Sequence, residues 1–218
     1  MSIKPKDKIA RRAAREIMPG MVVNLGIGIP TLIANYIPED LPLTFHSENG
    51  IIGAGKVAQA AEADRNLIDA GGSYITTKPG AAFCDSALSF ALVRGGRLDM
   101  TFLGALEISE YGDLANWIIP VKFAPGIGGA MELAQKARKL IITTTHTTKK
   151  GEPKILEYCT LPLTAKGCVD MIITELAVIS VHPENGMTLE EIATETSVDN
   201  VLAVTEAPLT ISDNLTTF

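Results

Sequence analysis

The chain has 218 residues, 46% of them hydrophobic and 20% charged, with a formal net charge of −6 at pH 7. That length suits one domain, residues 1–218, and a mean hydropathy of +0.22 excludes a disordered chain. No Lys/Arg run exceeds two residues, which with the acidic balance excludes a general nucleic-acid face.

In chain order, Asp7 to Met18 reads as a helix, with Ile9, Ala13, Ala14 and Ile17 on its apolar face and Arg11, Arg12 and Arg15 outside. Pro19-Gly20 stops it. Met21 to Leu25 is a short strand, Gly26-Ile27-Gly28-Ile29-Pro30 a tight turn, and Pro30 opens a helix that runs to Tyr36. Leu41 to His46 is the next strand, followed by a glycine-rich section and the strand-like Ser73 to Thr77. Pro79-Gly80-Ala81-Ala82 is expected to turn, Asp85 to Val93 to form a helix ended by Gly95-Gly96, and Asp99 to Leu106 to form a strand. PGIGGA, residues 125 to 130, is a further glycine turn leading into helix Met131 to Ala137. Lys139 to Thr145 is a strand rich in β-branched residues. The tail holds strand Val178 to Val181, a turn at Asn185-Gly186 and a helix near Leu189 to Glu195. Alternating strands and helices with glycine turns between them predict an α/β fold around an open, mostly parallel sheet flanked by helices. Ligands of such sheets sit beyond the carboxyl ends of the strands, so the glycine turns are expected to converge on one crevice.

Three cysteines without a C-x-x-C exclude a disulfide framework or zinc site, and no metal is expected. A reducing cytoplasm fits. MSIKPKDKIARRAAREIM carries charges without an apolar core, so no secretory signal is expected, and no uncharged apolar run reaches the ~18 residues of a membrane span.

NLGIGIP holds Gly26 and Gly28, but Thr31 stands where a dinucleotide fingerprint needs its third glycine. The turn is either a bare structural bend or a set of backbone N–H groups facing an anion or carbonyl. P-loop and serine-hydrolase signatures are absent. Cys84 reads as a small core residue, Trp117 as core, and His46 as a packing or hydrogen-bonding side chain. Glu48, in FHSENGIIG, is the unusual group. It ends an apolar strand, precedes the turn dipeptide Asn49-Gly50, and has no cation beside it in the chain. It is either a structural acid in a turn or a desolvated carboxylate placed to attack an electrophile.

HSENGIIG with Glu48 resembles the active-site signature of family I coenzyme A transferases, B-type (beta) subunit. NLGIGIP, ADRNLIDAG at 63–71, DLANW at 113–117, GIGGAMEL at 126–133 and CTLPLT at 159–164 resemble the same family in the same order. The likeness is to the 3-oxoacid and acetoacetate/butyrate types. It implies the sugar-isomerase-like CoA-transferase fold and a ping-pong exchange in which Glu48 carries a glutamyl-CoA thioester. Gly128 and Gly129, with Asn49, would then serve the oxyanion. Asn24, Gly26, Gly28, Ile29 and Pro30 would form a wall for the pantetheine arm; the lysine that approaches the CoA phosphates in some relatives is replaced here by Gly72, so Lys78 or Lys56 would have to take its place. Many relatives carry Gly-Pro at Gly55-Lys56, Pro-Gly-Lys at Pro120-Val121-Lys122 and Asp at Glu132. The resemblance also implies that CoA and acyl-CoA are substrates with no permanently bound cofactor. A separate A-type (alpha) subunit would complete a two-plus-two heterotetramer, with a B homodimer when the chain is alone. Rival readings are an acyl-CoA hydrolase and a non-catalytic ligand-binding domain on the same scaffold.

Overall fold

The computed structural model describes residues 3–122, 124, 126–182 and 184–218. The chain opens with helix α1 (Pro5–Ala13), continued by a 3₁₀ turn over Ala14–Glu16. Strand β1 (Val22–Leu25), helix α2 (Ile29–Leu32) with a 3₁₀ turn to Tyr36, and strand β2 (Thr44–Ser47) form the first strand–helix–strand unit. Strand β3 (Ile51–Val57) turns back antiparallel to β2, β4 (Ile75–Phe83) pairs antiparallel with β3, and helix α3 (Ser86–Arg94) follows. Next come β5 (Met100–Leu103), the short β6 (Glu107–Ser109) and β7 (Leu114–Ala115), helix α4 (Ala130–Lys136) and β8 (Leu140–Thr143). The remainder holds β9 (Ile155–Leu156), β10 (Met171–Ile173), β11 (Ala177–His182), β12 (Gly186–Ile192), helix α5 (Val198–Ala203) and β13 (Leu209–Thr217).

One ten-stranded sheet runs β13-β12-β11-β10-β8-β5-β1-β2-β3-β4, and β7-β6-β9 form a small second sheet. The middle of the large sheet, β10-β8-β5-β1-β2, is parallel throughout, while antiparallel pairs lie on both flanks. The expected open, mostly parallel α/β sheet is therefore present. Its central strands are covered on both faces, which explains their near-continuous apolar runs. In β8, Leu140 and Ile142 enter one core with Val93, Leu98 and Leu133, whereas Ile141 enters the other with Ile9, Phe45 and Phe102. Full burial of one such side chain stabilises by about 2 kcal/mol. Helix α1 closes the second core through Ile9, Ala10 and Ala13, with Pro5 at its start, where a missing N–H costs nothing. Among the described residues no helix is long and apolar enough to cross a membrane.

Three expectations need correction, and the glycine-rich stretch left without an element gains one. Arg12 does not face outward: it is 6% exposed and ion-paired to Glu16 and Glu191. Pro79-Gly80-Ala81-Ala82 does not turn. β4 runs through it as an edge strand with register shifts against β3, and an edge is where a proline without an N–H is tolerated. The glycine-rich section is strand β3, whose Gly55 lies flat against the Thr76 backbone, where a Cβ would collide. Leu189 to Glu195 is not a helix. Met187 and Leu189 are buried while Thr188 and Glu190 are not, a period-2 pattern that pairs β12 with β11 and β13.

Candidate active site

Glu48 sits in the tight turn between β2 and β3. Gly50 N–H donates to Ser47 O at 2.9 Å, which makes Glu48 and Asn49 the two central residues. Gly50 takes φ +117°, and a Cβ there would collide with the Cys84 carbonyl, so this corner requires glycine. The turn follows the carboxyl end of a parallel strand, where ligand sites of such sheets gather.

The Glu48 carboxylate is half-buried, and its Oε2 accepts a 2.9 Å hydrogen bond from Asn24 Nδ2. Among the described residues Glu48 forms no ion pair. Asn24 is fully buried in β1, directly in register with His46, and its Nδ2 also donates to His46 O at 3.1 Å. The amide thus turns its donors toward the strand end that carries Glu48. Its Oδ1 is buried without a partner among the described residues. An unpaired buried acceptor is costly, so the carboxylate and the strand, not the amide's own satisfaction, set this orientation.

The glycine turn before α4 approaches from the other side. Gly129 lies so close that a Cβ on it would stand 3.5 Å from Glu48 Cγ and 2.6 Å from the Phe90 ring. Gly128, its neighbour, has φ +54° and is exposed. Pro125 of the PGIGGA stretch lies outside the described residues. Below, His46 Nε2 and Ser89 Oγ share a hydrogen bond of 2.9 Å, and burial lowers the His46 pKa, which keeps the imidazole neutral. His46 therefore makes the structural hydrogen bond expected of it. Trp117 is half-buried, donating its indole N–H to Leu163 O. Cys84 is half-buried rather than fully in the core, with its Sγ against Gly50 O.

Glu48, Asn24 and Gly129 are brought together, with Gly128 adjacent. Other sequence candidates take different places. Asn49 donates its side-chain N–H to Ile68 O at 2.6 Å, and Ser47 Oγ accepts from Ala70 N–H, so these residues clasp the 64–73 loop. The Asn49 side chain is thus engaged away from the oxyanion position. Gly26 cannot offer its N–H to a ligand, because that group donates to Phe102 O at 2.8 Å. Its lack of a Cβ serves close approach to Leu103 and Phe102. Pro30 is buried and Ile29 packs on the second core, which leaves Ile27, 69% exposed, and Gly28 as the outward members of NLGIGIP. Lys78 lines a separate groove of about 500 Å³ with Lys56, Glu39 and Asn35, and Lys56 is already paired to Glu39. Ser89 and Phe90 escaped the sequence reading. The Asp85 cap and the Gly95-Gly96 stop locate their helix, but nothing local reveals which residues it turns toward Glu48.

The profile described as Coenzyme A transferase matches residues 6–203. A probable coenzyme A transferase subunit beta of Bacillus subtilis is 47% identical over 211 residues, covering 97% of each chain. The mitochondrial succinyl-CoA:3-ketoacid coenzyme A transferase 2B of Mus musculus is 47% identical over 96% of this chain, which spans only 41% of that longer protein. The acyl-CoA transferase of Escherichia coli O157:H7, solved as a thioester complex with CoA, superposes with a TM-score of 0.78 at 24% identity, over 100% of this chain and 43% of that one. The profile match over most of the length and the 47% identical relative show that the chain belongs to the coenzyme A transferase family.

Proposed function

We propose that this chain is the B-type half of a CoA-transferase that moves CoA between a 3-oxoacyl or short-chain thioester and a free carboxylic acid, with Glu48 as the covalent carrier. The observation that carries the reading is the Glu48 carboxylate, held by the neutral amide of Asn24 and flanked by Gly129. A neutral donor orients one oxygen without neutralising the charge. The other oxygen remains available to attack.

Glu48 adds to the thioester carbonyl, and the tetrahedral intermediate expels CoA thiolate to leave a mixed anhydride. The thiolate then attacks the Glu48 carbonyl carbon. The first acid leaves as its carboxylate, and the enzyme holds a glutamyl-CoA thioester. A second carboxylate enters and the two steps run backwards. Each tetrahedral intermediate needs a donor at its oxyanion, and losing one costs about 3 kcal/mol. The backbone N–H groups at Gly128-Gly129 are suited to that role because the turn comes so near that a Cβ on Gly129 would reach Glu48 Cγ. CoA enters as a substrate, with no resident cofactor. The exposed Ile27 and Gly28 fit the wall for its pantetheine arm, a role the resemblance gave to the whole NLGIGIP turn.

The mouse relative is named for succinyl-CoA and 3-ketoacids, and by that likeness a 3-oxo acid and a small dicarboxylate are the first pair to try. This chain matches 41% of that protein, which supports a separate A-type half; a two-plus-two assembly of the halves is part of the proposal. Three free cysteines accord with a reducing cytoplasm. Because Glu48 is half-buried in the chain alone, shielding of the anhydride from water falls to the partner half, and without it hydrolysis competes.

The test is reconstitution with an A-type half. Borohydride treatment of acyl-CoA-loaded enzyme is expected to mark the Glu48 peptide, and Glu48→Ala to lose about 10⁴-fold or more in transfer, as removal of a nucleophile does elsewhere. Full transfer by Glu48→Ala would sink the reading. Thioester cleavage equal with and without an acceptor acid would favour the hydrolase instead.

A further inference from the structure

Helix α3 and the residue that leads into it meet the two turns around Glu48 at three points. Ser89, fully buried, bonds the His46 imidazole two residues before Glu48. Cys84, just ahead of the helix, donates its N–H to Gly50 O at 2.9 Å, two residues after Glu48. Phe90, the residue next to Ser89, lays its ring on Gly129, where a Cβ would meet Cζ at 2.6 Å and Cε1 at 3.0 Å. The helix is itself anchored. Asp85 caps it by accepting from Leu88 N–H at 2.8 Å, and Arg94 pairs with Glu132 of α4 at 2.6 Å.

These contacts join two pieces of chain that share no hydrogen bond with each other among the described residues. One is the β2–β3 turn that carries the nucleophile, and the other is the Gly128-Gly129 turn at the start of α4. From this geometry we infer that α3 is a brace, in which Ser89 and Phe90 are positioning residues that set the spacing between the Glu48 carboxylate and the Gly129 backbone. Ser89 acts through His46, whose carbonyl shares the Asn24 amide with Glu48. Phe90 acts by contact, since the glycine lets its ring rest on the backbone itself. The sequence is consistent with this division. Ser89 is an isolated buried hydroxyl on a helix whose other fully buried side chain, Val93, is apolar.

The inference rests on the glutamyl-thioester reading, so the experiment separates the two. In the reconstituted enzyme, wild type and Glu48→Ala test the reading itself. Ser89→Ala removes only the hydroxyl, and Phe90→Leu removes the ring atoms that meet Gly129. A misplacement of reacting groups near 1 Å costs about 100-fold, and smaller displacements cost less. Each variant is accordingly expected to lower kcat about 10-fold with KM within about twofold, and to raise the ratio of thioester hydrolysis to transfer. Ala91→Ser, on the exposed side of the same helix, is expected to match wild type. A helix that merely supports the fold would instead lower the melting temperature and the fraction of active enzyme, leaving kcat per active site and the hydrolysis ratio alone. Wild-type kcat and partition in folded Ser89→Ala and Phe90→Leu overturn the inference, as does a rise in KM alone. If one variant does not fold, the other decides. Transfer surviving in Glu48→Ala would strike the underlying reading and not the brace.

Discussion

Two glutamates in this chain keep opposite company. Glu16, after α1, accepts hydrogen bonds from Arg12 at 2.8 Å and Lys139 at 3.1 Å. Burial pushes its carboxyl up, but those two cations outweigh it and hold the pKa below the usual carboxylate range. Arg12 is completed by Glu191 of β12 through a two-pronged contact of 2.8 and 2.6 Å. Burial works against the Arg12 charge, and its bonds to Glu191 and Glu16 reverse that, raising its pKa. Glu48 meets an uncharged amide and a glycine turn. The first arrangement fixes α1 to the far strands of the sheet by saturating the carboxylate. The second orients a carboxylate and leaves it unneutralised. A charge used for architecture is quenched, whereas a charge used for bond formation is only aimed.

The sharpest break of that contrast is to remove one member from each set. Glu48→Ala is expected to abolish transfer while leaving unfolding free energy within about 1 kcal/mol of wild type, since a half-buried turn residue is lost without stranding a charge. Arg12→Ala strands the partly buried Glu191 carboxylate and leaves Glu16 with Lys139 alone, and is expected to destabilise by about 3 kcal/mol in urea unfolding while sparing kcat of the folded enzyme. Equal stability losses in both would erase the distinction.

A second measure uses acid. His146 is fully buried between Thr174 and Thr205 hydroxyls, and burial pushes its pKa down to about 4. A base lowered on folding leaves the unfolded chain binding more protons between the two values. Stability is therefore complete above about pH 6.5 and falls by about 3 kcal/mol as pH drops toward 4. Glu16 adds to that loss at lower pH, because a depressed carboxylate stabilises above its unfolded pKa and fails as pH falls through the folded one. His146→Asn is expected to flatten the pH dependence of the melting temperature between 6.5 and 4. An unchanged slope would remove His146 as its source.

The smallest effect concerns Asn24. A hydrogen bond to a charged group is worth about 2 kcal/mol, so Asn24→Ala is expected to slow transfer by about 30-fold. Asn24→Asp should be worse near neutrality and recover as pH rises. Two carboxylates within hydrogen-bond distance share one proton, and the enzyme must lose it before Glu48 can attack. A pH–rate profile of this variant parallel to wild type would show that the amide does not orient the reactive oxygen.

Much of this was legible in the chain order of residue types. The apolar runs of β1, β5, β8 and β11, the cap at Asp85, the stop at Gly95-Gly96 and the place of Glu48 at a strand end before the Asn49-Gly50 turn are local signals, and local chemistry sets them. The errors share one cause. Pro79-Gly80 reads as a turn unless the segment is known to be an edge, and Leu189 to Glu195 reads as a helix until β11 arrives to pair with it. Arg12 reads as exposed because its partner Glu191 lies 179 positions away. Asn49 looked like the residue beside the nucleophile and proved to hold the neighbouring loop, while Asn24 holds the carboxylate from a different strand.

By itself the sequence determined the α/β class and the family motifs and singled out Glu48 as the candidate acid, because propensity, turn chemistry and side-chain type act over a few residues. Tertiary structure alone decided what surrounds that acid. The parallel pairing of β1 with β2 brings Asn24 to Glu48, and the packing of α3 brings Phe90 to Gly129. Hydrogen bonds and van der Waals contacts act over a few ångströms, and only the folded sheet makes residues 24, 48, 90 and 129 neighbours at that range.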